Sequence, residues 1–268
     1  MEEEWKVKDD GSIDMESLGS QIDSKTRLVC VAHISNVLGV INPVRKIADI
    51  CHSHGVPLLV DGAQGIVHCD VNVRELGCDF YVFSGHKVYA APGTGVLYGS
   101  QELLERMPPF LTGGEMIGTV KWAETTWAPL PQKFEAGTQN ISGTPTLKPA
   151  LKLAKELNNN NLEQEKIKSF ILSRFNSNPL ITLYGNPEKQ EDKIPLFSFC
   201  VKGAHHEDLA LILDKMGVAV RSGQMCAEPL MDRFGVTGMV RASFAPYNTL
   251  QEAEYFIESL NRAIKMLV

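Results

Sequence analysis

A lysine closes an apolar run in DFYVFSGHKVYAAPGTGVLYG, Asp79 to Gly99, and stands between a histidine and a glycine-rich loop. The run before it is short, apolar and aromatic, the composition of a buried strand, so Lys87 is delivered just past a strand's carboxyl end. Desolvation and neighbouring positive charge at such a crowded end make an amine nucleophilic and able to form a Schiff base with a carbonyl compound.

The elements that must position this lysine are an alternating series. RLVCVAH, Arg27 to His33, reads as a buried strand. NPVRKIADICHSHG reads as a helix, with Asn42 able to cap it, Pro43 suited to its first position and Gly55 to its end. VPLLVDG is a second strand, Val73 to Leu76 a short helical turn, DFYVFSG a third strand and TGVLYG a fourth. Strands alternating with helices imply an α/β fold with a mainly parallel sheet covered on both faces. Ligands bind such sheets at the carboxyl ends of the strands. The polar residues there are Asn36, then Asp61 and Gln64, then Ser84, His86 and Lys87. Amine and carboxylate on neighbouring strand ends are what pyridoxal phosphate needs, Lys87 for the Schiff base and Asp61 to keep the ring nitrogen protonated. Singly, the lysine reads as solvated and Asp61-Gly62 as a turn; jointly they favour the cofactor.

The 268 residues are enough to bury a sizeable core and to form two domains. Hydrophobic residues at 44% and charged residues at 22% fit a globular protein. A formal charge of −6 provides no basic field for nucleic acid. No uncharged apolar stretch is long enough to span a bilayer, and the acidic start MEEEWKVKDDGSID is unlike a targeting signal, so a cytoplasmic protein is expected. The six cysteines are scattered with no CxxC pair, which fits a reducing compartment. Cys30 and Cys200 lie in apolar runs and read as small buried hydrophobes. Cys226, in RSGQMCAEP with Arg221 and Gly223 before it, reads as a free and accessible thiol near a cation.

Residues 107 to 143 are irregular and rich in Gly, Pro, Thr and Trp, too long for a simple connection, and are expected to cover something. TLKPALKLAKELNN and LEQEKIKSFILSRFN read as amphipathic helices broken at Asn158 to Asn161. A boundary there divides the chain into a large domain, 1–155, and a smaller α+β domain, 156–268. The small domain carries strands at IPLFSFCVKG, VAVRSG and MVRASFAPYN and a helix at HEDLALILDKMG. The last helix opens with Thr249 and Glu252 in capping-box spacing and places Phe256, Ile257, Leu260, Ile264 and Leu267 on one face.

Taken in order, VDGAQ, FSGHKVYAAPGTGVLYG, FEAGTQN, VRSGQMCAEPLM and VRASFAPYNT resemble the SufS-type (group II) cysteine desulfurases of the class V aminotransferase family. The resemblance runs from about Asp10 to the C-terminus and implies the fold-type I architecture of pyridoxal phosphate enzymes. It implies that Lys87 holds the cofactor and shuttles protons, that Asp61 partners the pyridinium nitrogen, that Gln64 neighbours the phenolic oxygen, and that Ser84 and His86 bind the phosphate. Asn36 would touch cofactor and substrate carboxylate, and Arg241 would grip that carboxylate bidentately. Thr138 would reach the phosphate of the other subunit's cofactor, which implies a homodimer with shared active sites. Cys226 would be the nucleophile that takes sulfur from L-cysteine as a persulfide and leaves L-alanine. An acceptor protein of the SufE or SufU kind would then carry the sulfur to iron-sulfur cluster assembly.

L-selenocysteine is the alternative substrate, because a selenocysteine lyase uses the same machinery. Matched to that family, the chain starts about a third of the way in, so a fragment-like chain is expected, without the segment that cradles the phosphate and stacks on the pyridine ring. The non-enzyme alternative is a truncated, inactive or regulatory desulfurase-like chain. Gln224 and Met225 stand where many relatives carry two histidines. CHSHG and HHED hold metal-ligating residue types, but Cys51, His52 and His54 crowd one helix end without a second ligand pair. His205 and His206 precede a helix where capping is expected, so the expectation is no metal.

Overall fold

A computed structural model describes residues 5–159, 162–187 and 189–268. In chain order the elements are α1 (Met15–Gln21), β1 (Val29–Ala32), α2 (Val44–Ser53), β2 (Leu58–Asp61), α3 (Gly65–His68), α4 (Val73–Leu76), β3 (Phe80–Ser84), β4 (Gly95–Gly99), α5 (Gln101–Arg106), β5 (Ile117–Val120), β6 (Thr125–Trp127), α6 (Leu147–Asn158), α7 (Leu162–Asn176), β7 (Ile181–Tyr184), β8 (Leu196–Val201), α8 (His206–Lys215), β9 (Arg221–Gly223), α9 (Glu228–Phe234), β10 (Met239–Ser243) and α10 (Leu250–Leu267). The chain forms two compact units. Thr26–Val31 and Val44–Lys155 make one, the Lys87 unit. The described residues up to Lys25, Ala32–Pro43 and Glu156–Val268 make the other, the Cys226 unit.

The sheet of the Lys87 unit has the order β1-β2-β3-β4. β2 and β3 are parallel, with Asp61 opposite Val82. β4 runs antiparallel to β3, with Gly95 opposite Ser84. The reversal follows from the connection, since Gly85 to Thr94 is shorter than the dozen or so residues a parallel crossover needs. Helix α2 forms where apolar residues recur at helical spacing, and Val44, Ile47, Ala48 and Cys51 are its buried stripe. Gly55 ends the turn after it in the left-handed region, at φ 69°. In β1 only Val29 and Val31 are buried, and Cys30 is exposed rather than buried as its apolar run implied. β1 is the outer strand in the sheet order, and strand alternation turns Cys30 away from the core. The stretch from 107 to 143 contains a hairpin, β5 paired antiparallel with β6. Both strands are exposed along their length, so no apolar alternation marked them in the sequence.

The sheet of the Cys226 unit has the order β7-β8-β10-β9, and each neighbouring pair is antiparallel. One face is covered by α7, α8 and α10, whose Ile171, Phe175, Leu213, Phe256 and Leu260 meet Phe197, Phe199 and Val240 in one core. Phe175 lies edge-on to Phe199, with ring centroids 4.8 Å apart. Along β8 the alternation sends Phe197, Phe199 and Val201 into that core and Ser198 and Cys200 to the other face. There Val37, Leu38, Val40, Met225, Met231 and Met239 form a second cluster, and Cys200 is half-buried beside it rather than fully enclosed. Among the described residues, no helix is long and apolar enough to cross a membrane.

The capping box at α10 is formed: Thr249 Oγ1 accepts from the Glu252 N–H at 3.2 Å, and Glu252 Oε2 accepts from the Thr249 N–H at 2.8 Å. Since α10 supplies much of the core, Thr249→Ala is expected to lower stability by about 1 kcal/mol in urea denaturation, while Thr249→Ser stays close to the wild type.

Candidate active site

In the Lys87 unit, parallel β2 and β3 end side by side, and the turn after each strand is tightly constrained. The Gly62 N–H donates to Val82 O at 2.8 Å, and a Cβ added at Gly62 would lie 2.0 Å from the buried Tyr81 ring, so only glycine fits. Asp61, just before it, is exposed, and its Oδ1 accepts from the Ala63 N–H at 2.8 Å. Gln64 is half-buried at the start of α3. After β3 the chain makes one 3-10 turn, Gly85–Val88. A Cβ at Gly85 would meet Thr94 Oγ1 at 2.3 Å, and Val88 is fully buried with Val67 and Ala154. These anchors leave His86 and Lys87 exposed between them. Ser84 Oγ and His86 Nδ1 are 2.8 Å apart, which leaves the other ring nitrogen for a further partner. Asp61, Gln64, Ser84, His86 and Lys87 are thus on one rim. Among the described residues the crowding expected around Lys87 is absent, and Lys87 is exposed. Thr138 stands exposed on a separate loop, after Gly137, whose N–H donates to Gly114 O at 2.9 Å.

The Cys226 unit holds the other expected residues. Arg241 on β10 donates through Nη1 to Asn36 O at 2.8 Å, while its Nε is buried with no partner among the described residues. Sheet register sets Arg241 directly between Ser198 on β8 and Arg221 on β9. Burial, and next the Arg221 charge, pull the Arg241 guanidinium below its ordinary pKa. A carboxylate there would relieve both costs, by pairing with the orphan donor and by neutralising like charges. Asn36 Nδ2 donates to Met225 O at 3.0 Å. Met225 and Cys226 both adopt left-handed backbone, φ 55° and 59°, at about 1 kcal/mol or more each for non-glycine residues. Met225 is buried while Cys226 is exposed, so the left-handed pair turns one side chain inward and the thiol outward.

Two residues of this unit escaped the sequence reading of the site, and a third was read only in part. Ser198 is fully buried, and its hydroxyl donates to Val37 O; a serine inside the apolar run LFSFCV was the available signal. Lys193 is 2% exposed and donates through Nζ to Leu38 O at 2.6 Å. Nothing in its local sequence distinguishes it from a surface lysine. Burial, and then the like charge of Lys168, pull its amine down to about 7. Arg221 was visible only as a cation near Cys226, and its pairing with Arg241 required the register. Of the metal-ligating residue types, His52 pairs with Asp79 at 2.9 Å, and His205 caps α8 by accepting from the Glu207 N–H. Among the described residues, no three His, Cys, Asp or Glu cluster as a metal site.

Solved structures with this fold include the cysteine desulfurase CsdA of Escherichia coli in an S-sulfonic acid form. It is 36% identical, with a TM-score of 0.87 over 95% of this chain and 63% of that one. The apo cysteine desulfurase of Thermococcus onnurineus is 35% identical, with a TM-score of 0.89 over 99% of this chain and 66% of that one. The α/β fold is therefore that of the fold-type I pyridoxal phosphate enzymes, as expected. A sequence profile described as aminotransferase class-V matches residues 3–256, and the chain belongs to that family. Cysteine desulfurases of Escherichia coli and Shigella flexneri are 42% identical over 261 residues, which is 96% of this chain. The chain spans 63% of the length of these curated relatives.

Buried Lys193 sets a pH dependence whose sign is fixed. With a folded pKa of about 7, below the ordinary 10.5, the folded state binds fewer protons than the unfolded state across that window. The contribution of Lys193 to stability is therefore lowest below about pH 7, where the core must hold a charge, and rises as pH rises towards 10.5. Urea denaturation of the wild type and of Lys193→Met, from about pH 6 to about pH 9.5, is expected to show the difference moving in favour of the wild type. A flat difference would contradict it.

Proposed function

We propose that the chain is a pyridoxal phosphate-dependent cysteine desulfurase, a sulfurtransferase that converts L-cysteine to L-alanine and leaves a persulfide on Cys226. The observation that carries this reading is the exposed Lys87 amine and the Asp61 carboxylate following neighbouring ends of two parallel strands. The donor set on that rim fits pyridoxal phosphate: Lys87 for its aldehyde carbon, Asp61 for its ring nitrogen, Gln64 for its phenolic oxygen, and Ser84 with His86 for its phosphate. When bound, the cofactor supplies an electron sink that makes the substrate's α-proton acidic.

The remaining steps belong to the chain's own side chains. Arg241, with its orphan Nε and the Arg221 charge beside it, takes the substrate carboxylate, and Asn36 helps to hold it. The Lys87 amine removes the α-proton. The Cys226 thiolate attacks the substrate sulfur, the electron pair of the C–S bond stays with carbon, a proton delivered there completes the methyl group, and the proton held on Lys87 returns to the α-carbon to give alanine. The sulfur remains on Cys226, whose exposure supports collection by an acceptor protein of the SufE or SufU kind for cytoplasmic iron-sulfur cluster assembly. The exposed Thr138 loop supports a homodimer in which Thr138 reaches the second copy's cofactor phosphate. L-selenocysteine, attacked at selenium by the same thiol, is the alternative substrate.

Visible absorption of the 268-residue chain mixed with pyridoxal phosphate, before and after adding L-cysteine, tests the proposal. A new band that shifts with cysteine and is lost in Lys87→Ala is expected. Cys226→Ala should keep the band and lose sulfide release by at least about a thousandfold. A folded chain without the band overturns the proposal for this chain as it stands, and a Lys87→Ala variant that retains the band overturns the assignment of Lys87. Undiminished turnover in Cys226→Ala overturns the nucleophile.

A further inference from the structure

We propose that Lys193 and Ser198 are positioning residues for Cys226, acting through the Asn36–Leu38 segment, whose carbonyls they clamp and which holds the Cys226 loop. The inference deepens the reading of Cys226 as nucleophile and rests on it.

The segment is a tight turn. The Ser35 N–H donates to Val40 O and the Gly39 N–H to Ser35 O, both at 3.0 Å. The turn is docked on the chain leading into β8, where the Ile194 N–H donates to Gly39 O at 2.9 Å and the Ile41 N–H donates to Asp192 O at 2.8 Å. Its three successive carbonyls are then taken by three side chains: Asn36 O by Arg241 Nη1, Val37 O by Ser198 Oγ and Leu38 O by Lys193 Nζ. Gly185 approaches so closely that a Cβ there would lie 2.6 Å from Leu38 O. Val37 and Leu38 are almost fully buried, so each carbonyl left without its donor would carry a desolvation cost.

The same segment meets the thiol loop in two ways. Asn36 Nδ2 donates to Met225 O, and Val37 and Leu38 pack in one cluster with the Met225 side chain. Two consecutive left-handed residues persist only where their surroundings over-determine them, and these two contacts do so at Met225. Lys193 also costs the fold something: its amine is buried, and the charge that acts on it is the like charge of Lys168. An alkyl side chain would fill that space without the penalty. What the lysine supplies is a donor to Leu38.

Hydrogen exchange read by mass spectrometry on the whole chain tests this. In Lys193→Met the amides of 36–39 and of 224–227 are expected to exchange about tenfold faster, as for one lost buried hydrogen bond, while those of α10 keep their protection. Ser198→Ala, a smaller change in the same clamp, should loosen the same two stretches. With pyridoxal phosphate bound, both variants should raise KM for L-cysteine and lower kcat, whereas a merely structural role would reduce the active fraction and leave KM in place. The proposal is overturned if 36–39 loosens in both variants while 224–227 does not, or if KM is unchanged. A wild type that turns over no cysteine would remove the desulfurase reading, while the exchange result would still decide the clamp.

Discussion

Three consecutive buried carbonyls, those of Asn36, Val37 and Leu38, must be hydrogen-bonded away from water, and they are satisfied by Arg241 and Ser198, opposite each other on the central strands β10 and β8, and by Lys193 just before β8. That constraint organises the Cys226 unit. It explains why an arginine and a serine face away from a phenylalanine-rich core on strands whose alternate residues feed that core. It also ties Arg241 to the thiol loop. The Arg241 guanidinium that takes Asn36 O also carries the orphan Nε, and the Asn36 amide reaches the residue before Cys226. Under the proposed function, substrate recognition and thiol placement share a backbone segment, and a disturbance of that segment reaches both.

A different constraint governs the Lys87 unit, where close approach does the positioning. Gly62 is held against the Tyr81 ring and Gly85 against Thr94, so neither turn can shift without a clash. Glycine is required there by space rather than by backbone angle, since neither residue has a positive φ. Val88 buries the turn that presents Lys87, and the amine is left exposed by rigid neighbours on both sides. Rigid elements place reactive groups more precisely than loops do, and here the placement comes from two strands and one turn.

Much of this was readable from sequence because the informative signals are local. Short apolar runs ended by glycine marked β2, β3 and β4, the Thr249–Glu252 spacing marked the start of α10, and Pro43 and Gly55 bracketed α2. Asp61 and Lys87 could be placed together because both end strands in an alternating pattern. What failed depends on non-local facts. Cys30 faces outward because β1 is the outer strand, and no property of RLVCVAH says which strand is outermost. The hairpin β5–β6 is exposed on both faces and so has no patterning to read. Lys193 and Ser198 act on carbonyls more than 150 residues away in the chain, 155 and 161 positions respectively, and no local signal encodes such a partner.

Under the proposed reading the chemistry divides as the chain does. Proton transfer and most of the hold on the cofactor fall to residues of one unit; carboxylate recognition, attack on sulfur and the Asn36 contact to the cofactor fall to residues of the other. The physical demands on the two groups differ accordingly. An amine that must join a carbonyl carbon and then move a proton has to be accessible, and Lys87 stands on an exposed turn. An arginine that must fix a carboxylate gains from burial, since a desolvated donor without a partner binds an anion more strongly than a hydrated one does. Arg241 has such a donor, and the Arg221 charge beside it raises the cost of leaving the pair unneutralised. Cys226 needs both conditions at once, a fixed position and an open face. The left-handed backbone at Met225 and Cys226 meets both, because it lets one residue anchor in the apolar cluster while the next projects outward.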